Sequence, residues 1–190
     1  MRYEVRLAGT GGQGLILAGI VLSEAALMEG YFVVHSQNYG PEARGGNSVS
    51  EVIMSDEEID YPRTLGIDIL VALNQRACND SLHDMKEDGL IIVDSSAVKK
   101  VLWGKVLRVP LQRETDHRFK DPRVVNMLAL GILTPFCPLV SEHSMTEALT
   151  SRMPAASLEH NLAAYRYGVR RGQELESSTH FHEFEDATDV

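Results

Sequence analysis

Residues 7–14 read LAGTGGQG, and this stretch decides the fold. Before it, Tyr3 to Ala8 alternate in polarity as a strand does, and after it Leu15 to Met28 form an apolar run of helical length. Glycines between a strand and a helix allow the tight turn that such a junction needs. The stretch therefore predicts a strand, a turn and a helix at the start of an α/β fold of the nucleotide-binding type.

The rest of the chain continues this βα order and then ends in helices. Further strands are predicted at Tyr31–His35, Glu51–Met54, Asp68–Leu73, Leu90–Asp94 and Val106–Val109. Helices are predicted at 75–86 and 124–133, after a capping-box spacing of Ser144 and Glu147, and from Ser157 to Arg171. This order predicts a Rossmann-like three-layer fold: a mainly parallel sheet with helices on both faces and one antiparallel strand from residues 47–55.

Length and charge limit the organisation of the chain. Its 190 residues suit one core, and no linker or internal repeat divides them, so one domain is predicted at 1–175. A flexible acidic tail is predicted at 176–190. From Gly172 to the end there are six acids and no Lys or Arg, so this part carries -6 of the formal charge of -9. An acidic chain is a poor general binder of nucleic acid, which requires cations to replace phosphate counterions.

The lengths of the apolar runs and the positions of the cysteines bear on the location of the protein and on whether it holds disulfides or an iron–sulfur cluster. No apolar run reaches the roughly 18 residues of a membrane span, and the start of the chain lacks a signal-peptide pattern, so we expect a cytoplasmic protein. Cys78 and Cys137 are the only cysteines and form no CxxC motif. They therefore predict neither a disulfide framework nor an iron–sulfur site, and we expect both to be small buried hydrophobic residues.

The turn fits the GxGxxG pattern with Gly9, Gly11, Gly12, Gln13 and Gly14. Glycines let a backbone approach a ligand closely, and free N–H groups at a helix start attract an anion such as phosphate. A dinucleotide site would also have an acid at the end of the second strand, but residues 35–37 read HSQ. Three interpretations stay open: a phosphorylated cofactor or partner group, a purely structural turn, or NAD(P).

A second cluster, YGPEARGG at residues 39–46, combines an aromatic ring, an acid and a cation with glycine and proline. Arg44 is suited to bind a phosphate or carboxylate with two hydrogen bonds, Glu42 to orient that Arg44, and Tyr39 to stack or donate a hydrogen bond. Functional loops often have this composition. The alternative is a rigid turn with a local ion pair.

The two motifs together resemble the gamma subunit, or gamma domain, of 2-oxoacid:ferredoxin oxidoreductases. The resemblance continues through EVIMSDEEIDYP at 51–62, DILVALNQ at 68–75, LIIVDSS at 90–96, NMLALG at 126–131 and LEHNLAAYRYG at 158–168. The unbroken YGPEARGG and the EIDYP stretch look most like the 2-oxoglutarate branch. Residues 1–175 are thus identified as a pyruvate/ketoisovalerate oxidoreductase gamma-type domain.

The resemblance implies a heterotetramer with alpha, beta and delta subunits that makes acyl-CoA and carbon dioxide and passes electrons to ferredoxin. It implies thiamine diphosphate and [4Fe–4S] clusters in the assembled enzyme, and since this chain lacks the residues to hold either, we expect them in the partner subunits and assign no catalytic or metal-binding residue here. The helix-start N–H groups of the glycine turn and the nearby Arg44 lead us to expect that the two glycine motifs lie at a subunit interface near the active site and contact the phosphates of CoA. Five alternatives stay open: a subunit of an enzyme for pyruvate, for branched-chain 2-oxoacids or for indolepyruvate, a stand-alone NADP-binding reductase, and a non-catalytic assembly module.

Other polar residues have simpler explanations. His180 and His182 lie in the tail without a third metal ligand, so a solvated tail is expected. After the strand ending at Asp94, Ser95 or Ser96 is expected to cap a turn rather than to bind a ligand. Two asparagines in apolar helical surroundings, at positions 126 and 161, are expected to satisfy backbone or interface groups.

Overall fold

The structure is a computed structural model and describes residues 1–39 and 46–178. Its strands are β1 (Arg2–Thr10), β2 (Phe32–Tyr39), β3 (Asn47–Ser55), β4 (Ile67–Ala72), β5 (Met85–Asp94) and β6 (Lys105–Val109). Its α-helices are α1 (Leu15–Met28), α2 (Gln75–Ser81), α3 (Leu111–Arg118), α4 (Val125–Leu133), α5 (Glu142–Arg152) and α6 (Ala155–Ser178).

All six strands belong to one sheet with the order β2-β3-β1-β4-β5-β6. β1, β4, β5 and β6 are parallel neighbours, whereas β3 pairs antiparallel with both β1 and β2. Among the described strands, β3 alone runs against the others, so the single antiparallel strand predicted from residues 47–55 is confirmed. Because β3 lies between β1 and β2, the α1 crossover spans one strand position more than in a simple βαβ unit.

Two hydrophobic cores cover the two faces of the sheet. The larger core packs helices α1, α3, α4, α5 and α6 against one face, where Leu7, Val52 and Ile92 are buried. The smaller core covers the other face through α2 and the connection from β5 to β6, where Ala72 and Val93 are buried. The predicted layers therefore exist, with more helical cover on one face than on the other.

Several element boundaries differ from the sequence predictions. β2 continues to Tyr39, into the region predicted as a loop, because it pairs residue by residue with β3. The helix predicted at 75–86 ends at Ser81, since ion pairs from Asp84 to Arg6 (2.6 Å) and from Lys86 to Asp68 (2.7 Å) hold the following residues against the sheet. α3 was not predicted.

The last two helices also begin elsewhere than predicted. Ser141, not Ser144, is the N-cap of α5: its Oγ accepts the N–H of Ser144 at 3.1 Å, and the Ser144 Oγ accepts the N–H of Ser141 at 3.1 Å. α6 starts before Ser157 and runs to Ser178, three residues into the predicted tail, while residues 179–190 lie outside the described part. No helix in the described ranges is long and apolar enough to cross a membrane.

Helices α4 and α6 cross in backbone contact. A Cβ at Gly131 would overlap the carbonyl oxygen of Tyr165 and lie 2.8 Å from the Cα of Gly168, and a Cβ at Gly172 would lie 2.7 Å from the carbonyl oxygen of Ile132. Real Cβ atoms do not approach backbone atoms so closely, so these positions have room for glycine alone. The crossing holds α6 against the helix that reaches the glycine turn.

Candidate glycine cleft

The glycine turn lies at the carboxyl edge of the sheet, where ligands bind in open α/β folds. It leaves β1 at Thr10 and enters α1 at Leu15, beside the end of β4 and the beginning of β3. The N–H of Gly11 donates to the carbonyl of Gly46 at 2.9 Å. Tyr39, at the end of β2, begins the YGPEARGG motif, and Gly46 ends it. The fold therefore brings both ends of the second motif to the sheet edge that holds the glycine turn.

Gln13 folds back over the turn that contains it. Its side-chain Oε1 accepts the N–H of Thr10 at 2.7 Å, and its own N–H donates to the carbonyl of Thr10 at 3.3 Å. A Cβ at Gly9 would overlap this Oε1 and would lie 3.1 Å from the Cβ of Leu73. Gly9 and Gln13 thus shape the turn from within.

Gly12 and Gly14 are required by backbone conformation. Their φ angles are 94° and 72°, in the left-handed region where other residues are strained. Gly14 is the N-cap of α1, and its carbonyl accepts the side-chain N–H of Asn126 at 2.9 Å. Because the buried Asn126 sits where a Cβ of Gly14 would be, α4 fixes the beginning of α1. The prediction that Asn126 satisfies a backbone group is confirmed.

Gly11 differs from the other glycines of the motif. Its φ is not positive, it is exposed, and a Cβ added there would meet one backbone atom, the carbonyl oxygen of Gly46, at an ordinary 3.7 Å. Nothing in the described part of the chain therefore requires glycine at this position. A group that approaches the backbone from outside the chain would require it.

A cleft of about 290 Å³ opens beside the turn, lined by Gly9, Thr10, Gly46, Asn47, Asn74, Gln75 and Arg76. Asn74 is its organising residue: its side-chain Oδ1 caps α2 by accepting the N–H of Ala77 at 2.8 Å, and its Nδ2 donates to the Thr10 hydroxyl at 3.0 Å. The buried Oδ1 of Asn47 has no hydrogen-bond partner in the described structure. Donors and acceptors thus line a small polar cleft, together with Arg76, whose guanidinium pairs with Asp80 at 3.6 Å.

A second cleft, of about 480 Å³, lies on the other side of the turn between Gly12 and the start of α6. Arg123 and His160 face it, but both pair with Asp121, at 2.8 Å and 3.6 Å respectively. The hydrogen bonds from Arg123 lower the pKa of Asp121 to about 2. Because Asp121 offsets this positive charge, the second cleft presents little net positive charge to an anion.

Sequence reasoning identified only part of this arrangement. It named Gly9, Gly11, Gly12, Gln13 and Gly14, which the structure brings together, but missed Asn47 and Asn74. Asn74 comes directly after a buried strand, and this position is the signal that would have revealed it. Of the second motif, the side chain of Tyr39 and all of Glu42 and Arg44 lie outside the described residues.

The turn after β5 is capped by Asp94 rather than by a serine, which corrects the prediction. The Asp94 carboxylate accepts the N–H of Ser96 at 2.9 Å and the N–H of Gln112 at 3.2 Å. A buried carboxylate is the stronger acceptor, so it displaces a serine hydroxyl from this role. Asn161 behaves as predicted, donating to the carbonyl of Ser157 at 2.8 Å.

The cysteines and histidines within the described ranges form no cluster that could hold a metal ion. Cys78 and Cys137 are both buried free thiols, as predicted, and burial raises the pKa of Cys137 to about 12. They belong to different cores on opposite faces of the sheet, so they cannot share a cluster. Within residues 1–39 and 46–178 no group of three or more metal-ligating side chains occurs, and His180 and His182 lie outside these ranges.

The fold and the cleft define a Rossmann-like α/β protein with a polar, anion-compatible turn at the carboxyl edge of its sheet. The chain belongs to the pyruvate ferredoxin/flavodoxin oxidoreductase family, whose model matches residues 4–171. It is 42% identical over 180 residues to the 2-oxoglutarate synthase subunit KorC of Methanocaldococcus jannaschii, covering 92% of this chain and 96% of the relative. The KorC subunit of Methanothermobacter thermautotrophicus is also 42% identical, over 177 residues, covering 88% and 94%.

Solved structures have the same fold. The gamma subunit of keto/oxoacid ferredoxin oxidoreductase from Geobacter sulfurreducens matches with a TM-score of 0.80 and 39% identity, over 90% of this chain and 99% of that chain. A 2-oxoglutarate:ferredoxin oxidoreductase from Magnetococcus marinus, solved with 2-oxoglutarate, coenzyme A and succinyl-CoA bound, matches with a TM-score of 0.79. At 23% identity, and with 32% of that longer chain covered, this likeness shows the fold alone.

These similarities confirm the family assignment made from the two glycine motifs, together with the α/β fold class. They also confirm the assignment to an oxidoreductase subunit related to the 2-oxoglutarate branch. The chain is therefore a subunit of a multisubunit oxidoreductase family.

Proposed function

We propose that this chain is the gamma subunit of a 2-oxoacid:ferredoxin oxidoreductase that acts on 2-oxoglutarate. Support comes from two relatives named 2-oxoglutarate synthase subunits, each 42% identical along nearly the whole relative. The assembled enzyme oxidatively decarboxylates the 2-oxoacid in the presence of CoA, forms an acyl-CoA and carbon dioxide, and passes the electrons to ferredoxin. Two further predictions belong to this proposal: the chain assembles into a heterotetramer with alpha, beta and delta subunits, and the complex is cytoplasmic.

In this proposal the partner subunits hold the redox cofactors. A [4Fe–4S] cluster takes four cysteine ligands, whereas this chain has Cys78 and Cys137 on opposite faces of its sheet. Thiamine diphosphate, when bound by a partner, supplies the carbanion-stabilising chemistry of the decarboxylation. This chain contributes no acid, base or nucleophile, and its role is to bind and to position.

The bound group at the glycine cleft is, in this proposal, a phosphate of CoA. The observation that carries the assignment is the hydrogen bond between Gly11 and Gly46, which unites the two motifs at one sheet edge. No side chain caps the first turn of α1 and no acid occurs in that turn, so the helix start favours an anion. Arg44 adds a fixed cation from the second motif.

The CoA Michaelis constant of the assembled complex tests this assignment. Arg44→Ala removes the cation, and we expect the constant to rise at least about tenfold, because a charge-assisted hydrogen bond contributes roughly 1.5–3 kcal/mol. Arg63→Ala is the matched control: Arg63 is exposed in the connection between β3 and β4, at the opposite edge of the sheet.

Assembly must be measured on the same samples, by size-exclusion chromatography. An unchanged CoA Michaelis constant in a fully assembled Arg44→Ala complex would show that Arg44 has no role in binding CoA. Loss of assembly with no effect on CoA in the remaining complex would instead favour the non-catalytic assembly module. Tight NADPH binding by the purified chain, measured by calorimetry, would favour the stand-alone reductase.

A further inference from the structure

The charge of the chain is distributed unevenly around the connection between β5 and β6. Between Asp94 and Glu114 there are five cations and no acid, although the chain as a whole has a formal charge of -9. The cations are Lys99, Lys100, Lys105, Arg108 and Arg113. We call residues 99–105 the basic loop. In the described part of the chain no carboxylate forms an ion pair with Lys99, Lys100 or Lys105.

The backbone of the basic loop is pinned rather than free. The Oε1 of Gln75 accepts the N–H groups of Lys99 at 2.9 Å and Lys100 at 3.1 Å, and the Nε2 of Gln75 donates to the carbonyl of Lys100 at 2.7 Å. At the other end, the indole N–H of Trp103 donates to the carbonyl of Gly89 at 2.7 Å. The loop is therefore held in one conformation from both ends.

This pinning forces an apolar side chain into solvent. Val101 and Trp103 pack against the smaller core, whereas the residue between them does not. That residue is Leu102, and it is 91% exposed. A rigid loop that presents an exposed leucine beside two exposed lysines, neither in an ion pair within the described residues, offers an apolar contact with a polar rim, as docking surfaces do.

We propose that the basic loop docks a companion subunit whose surface presents carboxylates around an apolar pocket for Leu102. The lysines require negative charge in the partner, and the leucine requires a pocket, which a polypeptide surface offers and a free phosphate does not. The proposal rests on the chain being a subunit of a complex, as proposed above. The anchoring bonds use backbone atoms of Lys99 and Lys100, and both side chains are exposed. The Nζ of Lys99 donates to the carbonyl of Ser95 at 3.0 Å, an exposed hydrogen bond that leaves its positive charge without a carboxylate partner in the described part of the chain.

The experiment uses the complex purified with all its subunits and measures the NaCl concentration at which half of this chain dissociates. In Lys99→Glu/Lys100→Glu we expect this concentration to fall at least about twofold, and the dissociation constant at fixed low salt to rise at least about tenfold. Leu102→Ser is expected to weaken binding about tenfold with little change in salt dependence, because it removes apolar contact alone.

The matched control is Arg166→Glu/Arg170→Glu, which makes the same change in net charge at two exposed positions on α6, against the opposite face of the sheet. It is expected to dissociate at the wild-type salt concentration. Melting temperatures of the purified variants show whether each one is folded.

The outcomes separate this proposal from the proposed function. If the wild-type complex forms and the folded lysine and Leu102 variants dissociate like it, the docking role is overturned while the subunit assignment stands. An equal effect of the control variant would also overturn the role, because net charge alone would explain it. If the wild-type chain joins no complex, the subunit assignment and the docking role fail together.

Discussion

Glycine serves opposite purposes in two regions of this molecule. At the crossing of α4 and α6, Gly131 and Gly168 bring two backbones into contact, and a side chain at either position would overlap the other helix. At the turn after β1, a Cβ at Gly11 would meet a single atom of the described residues, the carbonyl oxygen of Gly46, at an ordinary 3.7 Å. At the helix crossing, glycine allows two backbones to pack in direct contact. At the turn after β1, glycine leaves the backbone accessible to a group from outside.

The difference shows which glycines serve the fold and which serve a ligand. A packing glycine is explained entirely by atoms of the same chain, and so is Gly14, which has a positive φ and lies against Asn126. Among residues 1–39 and 46–178, nothing gives Gly11 either explanation. Substituting these glycines one at a time, and measuring the loss of stability and of function in each case, therefore tests which glycines serve the fold and which serve a ligand.

Gly131→Ala should have the largest effect on stability. Alanine is normally favoured over glycine within a helix by roughly 1 kcal/mol, but here its Cβ overlaps the carbonyl of Tyr165, which is backbone and cannot rotate away. We expect the free energy of unfolding to fall by about 3 kcal/mol, measured by urea denaturation.

The matched control for that substitution is Gly104→Ala. A Cβ at Gly104 meets no atom within 4 Å and its φ is not positive. Its unfolding free energy should stay within about 0.5 kcal/mol of wild type. A Gly131→Ala protein as stable as this control would show that the two helices are not in backbone contact.

Gly14→Ala should have the next largest effect. The left-handed conformation costs alanine roughly 1–2 kcal/mol, and its Cβ displaces the Asn126 amide. We expect a loss of about 2 kcal/mol. In a double-mutant cycle with Asn126→Ala, the double variant should lose less than the sum of the single variants by at least about 0.5 kcal/mol, because removing Asn126 relieves the overlap. Additive losses would contradict the contact.

A substitution of His35 tests a third site where glycine packs closely against its neighbours. We expect its effect on stability to be smaller than those of the glycine substitutions. Gly19 of α1 lies against the hydrogen-bonded pair of His35 Nε2 and Ser50 Oγ, which are 2.8 Å apart. Burial lowers the pKa of His35 below its usual 6.5. Between this lowered pKa and 6.5 the unfolded chain therefore binds more protons at His35 than the folded chain does, so stability falls as the pH falls through this range.

His35→Gln keeps a hydrogen-bonding group but removes this titration. Between pH 7.5 and pH 5.5, the variant should lose less unfolding free energy than the wild type, measured by urea denaturation at both pH values. An identical loss in the two proteins would assign the pH dependence to other groups.

The fold was largely readable from the sequence because its signals are local. The alternation of Tyr3 to Ala8, the apolar run of α1 and the buried run at β4 each identify an element without knowledge of the rest of the chain. The end of α2 was not readable in this way. It depends on Asp84 and Lys86 meeting Arg6 and Asp68, which are distant in sequence.

The cleft was readable only in part for the same reason. The glycine motif could be recognised from the sequence, because few other contexts place so many glycines together directly after a strand. Asn74 and Asn47 become site residues only when β4 and β3 are placed beside β1, and the capping role of Asp94 emerges only when α3 follows β6. Such roles depend on residues that are close only in the folded structure, so they cannot be predicted from local sequence or composition.

Gly11→Ala tests most directly the claim that this chain keeps Gly11 for a group outside it. Its Cβ meets an ordinary 3.7 Å contact, so the unfolding free energy should change by less than about 0.5 kcal/mol. In the assembled complex, however, the CoA Michaelis constant should rise at least about tenfold, because the new methyl group lies where the ligand approaches the backbone. A stable, fully assembled Gly11→Ala complex with the wild-type Michaelis constant would contradict the account.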